Sequence, residues 1–430
     1  MPIACPLLRP GRRPGAIPDK QPDQRKGARI MTTTNDEAAK ILDVPIGLDA
    51  TGMRKEFDSL GDVEAPANRY WGEQSPGSRG RPGHAPRPDR MNAGRRPMPA
   101  PHAAALDAAG RGQLRRPRVR PSLFSIALGL AGLGQAWHAA EPVLGVPAAV
   151  PDAIFALAAA AWLALVAAYA AQGWRQVQAD LRDPVLGAFV PVAVITAMIL
   201  GGALAEATPA AFAAGRVLVV IFLAGTMVIG GWLTGQWIAG HLDQDSMHPG
   251  YFLPTVAGGL VGATAAAGVR LPGVAEASFG IGIGCWLLLG SPVWTRLFFR
   301  PMLPAALVPT LAIELAPPAV AGVAYFALTG GAINFAARAL GGFCVLMALA
   351  QLRFVPLYAR LRFSPGFWAF TFSYAAVAVD ALLWITIARP PGATGYAIAT
   401  LTLITVFIAA IGARTVLAAI RGQLTLEDRP

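Results

Sequence analysis

Cysteine and histidine are scarce in this chain, and each shortage excludes a class of protein. The three cysteines, Cys5, Cys285 and Cys344, lie far apart and have no paired spacing, so neither a disulfide framework nor a zinc site is predicted. The five histidines are too scattered to supply the cluster of side chains at one depth that an integral membrane enzyme needs. We therefore expect no enzymatic activity, no catalytic residue, no metal and no cofactor.

Charge is also scarce, at 14% of residues against 54% hydrophobic, and the mean hydropathy is +0.47. A soluble domain of this composition would be covered in apolar patches, so we expect a polytopic membrane protein in the cell membrane, with the lipid bilayer as a partner. The net charge of +11 could indicate nucleic acid. However, the basic residues concentrate in the first 120 positions and in short loops, which membrane topology explains better.

Residues 1–120 form a tail rich in proline, glycine and arginine, and no lysine follows Lys55. We expect most of this tail to be disordered, and it lacks the apolar region of a signal peptide. Within it, residues 54–79, with Arg54-Lys-Glu-Phe-Asp58 and a later Tyr70-Trp71-Gly72, resemble the N-terminus of class II fumarase. The catalytic signature of that family is missing downstream. We interpret the fragment as a gene-boundary or fusion relic without lyase activity, and Met91 as the expected start of the membrane protein.

Ten apolar segments follow, each long enough to cross about 30 Å of hydrocarbon as a helix. Arginines precede the first segment and occupy alternate loops, which predicts that both termini, including residues 422–430, are cytoplasmic. The helical domain is expected over residues 121–421. The predicted spans are 122–140, 147–171, 184–205, 210–238, 248–268, 275–295, 304–327, 331–352, 365–388 and 394–418.

Three odd-numbered segments share one short pattern: Phe189-Val-Pro191, Phe252-Leu-Pro254 and Leu307-Val-Pro309. Their prolines are 63 and 55 residues apart. A proline removes a backbone donor and bends a helix, so this recurrence predicts repeated kinked helices that run in the same direction. The simplest architecture is an all-α integral membrane fold, in which five helical hairpins surround a quasi-fivefold central pore lined by the odd spans.

Five parallel helices direct the positive ends of their dipoles to one face, which favours a negatively charged solute. The odd segments have no ring of carboxylates, the usual means of selecting cations, and no dense basic ring that would trap an anion. The pattern therefore indicates an anion as the small-molecule substrate.

Four elements, in order, resemble the tellurite-resistance/dicarboxylate transporter family, which includes TehA-like proteins, malic acid transporters and slow anion channels. They are Phe124-Ser-Ile-Ala-Leu-Gly129, His248-Pro-x-Tyr-Phe-Leu-Pro254, Pro309-Thr310 with Ala316-Pro-Pro318, and Phe363-Ser-Pro-x-Phe-Trp-Ala-Phe-Thr-Phe372. The resemblance extends from about residue 122 to 421. It implies a pore in each protomer, a homotrimer, and transport of chloride, nitrate or C4-dicarboxylates such as malate.

The same resemblance implies that a phenylalanine of the ninth span plugs the pore, and its Trp-x-aromatic-Thr-Phe context matches Phe372. A benzyl group in a narrow lumen excludes water and raises the energy of a passing ion, so it can act as a hydrophobic gate. Plant members have a proline after this residue, whereas this chain has Ser373, so the resemblance does not fix the local bend of the ninth helix. The remaining predicted lining residues, expected to form an apolar collar at one depth, are Phe124, Val190, Leu253 and Val308. The predicted kink residues are Pro191, Pro254 and Pro309.

An ionisable side chain within a membrane span is expensive and therefore informative. Glu314, in the seventh span, is either a proton-coupling group or a carboxyl paired with another helix. Three classes of function remain open from the sequence. They are an anion channel or carrier, an integral membrane enzyme, which the scattered histidines disfavour, and a non-transporting scaffold. Within the first class, a channel and a proton-coupled dicarboxylate or tellurite-related carrier both remain open.

Overall fold

The computed structural model describes residues 53–58, 61–66, 118–240 and 242–421. Residues 53–66 contain an antiparallel hairpin of two strands, β1 (Met53–Asp58) and β2 (Gly61–Pro66), with Met53 paired to Pro66. The hairpin forms part of the fumarase-like segment. The predictions of disorder for the rest of the tail and of a cytoplasmic segment at 422–430 fall outside the described residues.

The helical unit contains ten helices long and apolar enough to cross a membrane, so the predicted all-α membrane fold is confirmed. Each overlaps one predicted segment, and the first and sixth exceed their predictions most, with 24 and 28 residues against 19 and 21, because the helix continues past the predicted ends. A short helix, Trp174–Arg182, lies between the second and third spans. The spans, named by their order here, are Pro121–Leu144, Ala149–Ala170, Gly187–Ala207, Phe212–Ile238, Pro249–Gly268, Pro272–Phe299, Val308–Thr329, Phe335–Tyr358, Pro365–Ala388 and Ala393–Ile420.

The odd and even spans begin in different ways. Each odd span begins with a 3-10 segment before its regular α-helix, and the fifth span has a π turn as well. Each even span is α-helical throughout its length. A proline lies in or within two residues of each opening segment, where a residue without a backbone N–H cannot continue the regular ladder. The opening segments are 3-10 turns at Pro121–Phe124, Gly187–Phe189, Pro249–Phe252, Val308–Leu315 and Pro365–Phe367, with a π turn at Leu253–Ala257.

The five odd spans form a closed ring in the order first, third, fifth, seventh, ninth, and the ninth contacts the first. Each even span packs outside this ring, in contact with its own hairpin partner and with the next odd span. Between 56% and 89% of each odd span's apolar window is buried, against 11% to 22% for the even spans. The odd spans are therefore the inner ring of a fivefold arrangement of hairpins, and the even spans face outward.

Candidate functional site

A narrow cavity of about 30 Å³ lies on the axis of the ring, near the beginning of the inner helices. All five inner spans contribute to its wall, so the cavity is enclosed by the repeat itself rather than by one hairpin. Its lining is Ser125, Leu128, Phe189, Phe252, Leu253, Val256, Ala257, Leu260, Ile313, Ala316, Pro317, Val320, Trp368, Ala369, Phe372 and Ser373.

Two further cavities continue in the direction of the helix C-termini. A small one of about 20 Å³ shares Phe372 and Val320 with the narrow cavity. It shares five other residues with a wide cavity of about 400 Å³, namely Gln135, Val261, Thr264, Val323 and Val379. The wide cavity reaches the Gly330–Gly331 turn at the end of the seventh span, so we call it the vestibule. The three cavities therefore follow one another along the axis.

Phe372 lies where the narrow and the small cavity meet, and its side chain is 94% buried. The first span is close behind it, since a Cβ added at Gly132 would stand 3.4 Å from Phe372 Cδ2. The neighbouring Ser373 hydroxyl donates to the Ala369 carbonyl at 3.3 Å, within its own helix. Ser373 is therefore part of the wall of the narrow cavity. The ninth span remains a regular helix here, from Trp368 to Ala388.

The other predicted lining residues are all buried, yet they occupy different surroundings. Leu253 lines the narrow cavity. Phe124 packs edge-on against Tyr169 of the second span, with ring centroids 5.7 Å apart. Val308 packs in a small apolar cluster with Leu303 and Leu311. The remaining four, Val190, Pro191, Pro254 and Pro309, lie in the first turns of their spans and not among the lining residues of the three cavities.

The seventh span contributes a different proline from the one that the repeat indicated. Pro317 lines the narrow cavity, together with Ile313 and Val320, while Pro309 lies eight residues earlier. The 3-10 segment of this span is eight residues long, against three or four in the others, which shifts its regular helix along the chain. The Pro317-Pro318 pair was the sequence signal that could have identified this position.

Neither the narrow nor the small cavity has a charged side chain among its described lining residues. The regular helices of the inner spans begin beside the narrow cavity, and no side chain caps the first turns of these five described helices. The positive ends of the helix dipoles are thus directed toward an apolar space, which favours a weakly held anion.

The buried carboxyl groups lie away from this path. Trp294 Nε1, in the sixth span, donates to Glu314 Oε2 at 2.8 Å, and Glu314 lines none of the three cavities described. The Asp380 carboxyl packs against Gly322 of the seventh span, and a Cβ added at Gly322 would lie 3.0 Å from the Asp380 Cγ. Both carboxyl groups therefore face neighbouring helices of the bundle.

His248 is fully buried and immediately precedes the fifth span. Its Nδ1 accepts from the Gly250 N–H at 3.1 Å, and its ring stacks on Phe189 at a centroid distance of 5.4 Å. Burial lowers the pKa of His248 to about 4. Because Phe189 lines the narrow cavity, this neutral imidazole supports the cavity wall from behind.

Comparison with known proteins identifies the family. Residues 118–416 match the family model described as "Voltage-dependent anion channel", SLAC1. This chain belongs to that family. The "Tellurite resistance protein TehA homolog" of Haemophilus influenzae is 29% identical over 262 residues, which cover 60% of this chain and 79% of that protein. The resemblance noted from the sequence is confirmed.

A separate short match is to the "Fumarate hydratase class II" of Methanosarcina acetivorans. It is 69% identical over 35 residues, which cover 8% of this chain and 7% of that protein. The chain spans a small fraction of that enzyme, and the family match begins only at residue 118.

Proposed function

We propose that this chain conducts small anions across the cell membrane along the axis of the inner ring, and that Phe372 is the gate. One observation carries the proposal: Phe372 lines both the narrow and the small cavity. An ion that moves from one to the other must therefore pass the Phe372 side chain. An aromatic group at such a constriction excludes water and raises the energy of an ion there. Family membership supports anions as the transported class.

The candidate substrates are chloride, nitrate and C4-dicarboxylates such as malate. An apolar path with helix N-termini at its narrow part attracts an anion without a fixed positive charge, and weak attraction permits release. Cytoplasmic termini are supported by the arginines of alternate loops. The homotrimer is proposed from the family resemblance, and cross-linking in native membranes tests it.

The test is anion flux in proteoliposomes at a set voltage, comparing the wild type with Phe372→Ala for chloride, nitrate and malate. We expect a large gain of flux in the variant. Phe335→Ala is the matched control, because this aromatic ring is 86% exposed at the start of the eighth span. Size-exclusion profiles establish that all three proteins are folded. If neither the wild type nor Phe372→Ala moves any of these anions beyond empty liposomes, the proposal is wrong.

A proton-coupled carrier is the alternative outcome of the same experiment. It would give a flux that saturates with substrate and depends on a pH gradient, whereas a channel gives unitary currents. Glu314, the predicted coupling group, is hydrogen-bonded to Trp294 and lies off the three cavities, so no described contact favours the carrier.

A further inference from the structure

The vestibule differs from the two narrow cavities because ionisable side chains line it. Among its described lining residues, Glu206 is the one carboxylate and His138 the one imidazole, and no lysine or arginine is present. The other polar side chains there are Gln135 and Thr264. An anion that crosses the vestibule therefore meets a negative charge before it reaches the uncharged part of the path.

The two groups are paired across different spans. His138 Nε2, near the end of the first span, lies 3.4 Å from Glu206 Oε2, near the end of the third. His138 Nδ1 also lies 3.3 Å from Glu141 Oε1, one turn further along the first span. Both members of the pair are about half exposed, at 50% and 52% of the side chain, so water and solute reach them.

We propose that Glu206 determines which anions enter the vestibule: its carboxylate disfavours entry, divalent anions most strongly, and His138, 3.4 Å away on the first span, positions it. This inference rests on the proposed function and adds a specificity determinant at a place separate from Phe372.

Three charged groups on or beside the neighbouring spans at this end of the bundle lie outside the vestibule lining. On the second span, Asp152 lies in the first turn and is exposed. Arg389, after the ninth span, donates to the carbonyl oxygens of Thr386 and Pro142. Arg270, after the fifth span, lies over the Phe212 ring at 5.1 Å. None of these three is among the lining residues of the vestibule.

Coulomb's law gives the size of the effect. One charge about 7 Å from a monovalent anion in water changes its local concentration roughly threefold. The interaction energy doubles for a divalent anion, so the threefold change in local concentration is squared and becomes about ninefold. A structural disturbance would alter chloride and malate flux by the same factor. Removal of a charge instead alters malate flux more than chloride flux.

The experiment measures chloride and malate flux in proteoliposomes at pH 7.5 on both sides of the membrane. Glu206→Gln should raise flux about threefold for chloride and about ninefold for malate. His138→Gln keeps the Glu206 carboxylate, so its malate-to-chloride ratio should stay nearer to the wild type than that of Glu206→Gln. Glu276→Gln is the matched control, since this exposed carboxyl near the start of the sixth span lies outside the vestibule lining.

The two proposals fail in different ways. If no variant and no wild-type sample conducts anions, the proposed function is wrong. If the wild type conducts but Glu206→Gln changes chloride and malate flux equally or not at all, the entry role of Glu206 is wrong. If His138→Gln gives the full change in the malate-to-chloride ratio that Glu206→Gln gives, the assignment of this selectivity to the Glu206 carboxylate is wrong.

Discussion

Gly132 of the first span packs directly against Phe372 of the ninth. A Cβ at Gly132 would stand 3.4 Å from Phe372 Cδ2 and 2.9 Å from the Ala375 Cβ, and the second distance is shorter than real side chains tolerate. The absence of a side chain at Gly132 therefore sets how closely the first span approaches the proposed gate.

Gly132→Ala should consequently push the two spans apart and loosen the constriction. Overpacking of this kind costs about 1–3 kcal/mol, so the melting temperature in detergent should fall. We expect basal anion flux to rise about twofold or more. Gly284→Ala is the control, because no atom lies within 4 Å of the added Cβ at that site in the sixth span. Wild-type flux in Gly132→Ala would contradict a gate held by this contact.

The Trp294–Glu314 hydrogen bond supports a structural role for the buried carboxyl. Glu314 Oε1 has no hydrogen-bond partner in the described part of the chain, so the indole N–H is the donor on which this carboxyl depends. Trp294→Phe should lower the free energy of unfolding by about 1–3 kcal/mol, because it leaves a buried acceptor without a donor. Glu314→Gln keeps an oxygen for the indole and should remain near wild type. Reversible unfolding in mixed micelles measures both.

Transport by the same Glu314→Gln protein separates the two interpretations of this residue. We expect its malate flux under a pH gradient to match the wild type. Loss of pH-gradient dependence in a correctly folded Glu314→Gln would instead identify Glu314 as a coupling group and favour a carrier.

The sequence predicted the fold more completely than the site, for a physical reason. Ten apolar runs and repeated prolines are local properties, and they suffice to predict ten spans with a kinked inner set. Which side chain reaches the axis depends on helix rotation and on the length of each opening turn. In the seventh span a longer 3-10 segment places Pro317, not Pro309, on the cavity wall.

The vestibule pair shows a second limit of sequence reasoning. His138 and Glu206 are 68 residues apart and belong to different hairpins, so no motif links them. Their common feature is their position near the C-terminal ends of the first and third spans. A comparison of polar residues at equivalent ends of the repeat would have brought them together, whereas a search for compact motifs could not.

His248 should make the protein less stable at acid pH. Its pKa is about 4 in the folded state, lowered by burial, against about 6.5 in the unfolded chain. The unfolded state therefore binds the proton more readily between these values, and stability is lost as the pH falls from about 6.5 to 4. The full difference is about 3 kcal/mol.

The measurement is the melting temperature in detergent across pH 4 to 8, for the wild type and His248→Asn. The amide oxygen of asparagine can replace Nδ1 as the acceptor for the Gly250 N–H, while the titrating group is removed. We expect the variant to lose most of the acid sensitivity. A variant with the same acid slope as the wild type would show that other groups dominate it.

Asp180 joins the segment before the first span to the loop between the second and third. Its side chain is fully buried and accepts from Arg118 Nη2, from the Tyr169 hydroxyl at 2.9 Å and from Gln176 Nε2 at 2.9 Å. The Arg118 side chain is 43% exposed, so the charge pair is buried on one side only. Three donors on one buried carboxylate indicate a pair that contributes more than a surface ion pair.

A double-mutant cycle of Arg118→Met and Asp180→Asn measures that contribution. Reversible unfolding in mixed micelles should give a coupling energy of about 1–3 kcal/mol. The matched cycle on Arg300 and Asp245, a pair 3.6 Å apart with both side chains about half exposed, should give about 0–1 kcal/mol. Equal coupling in the two cycles would show that the additional donors to Asp180, and not its charge pair with Arg118, hold this segment against the helical unit.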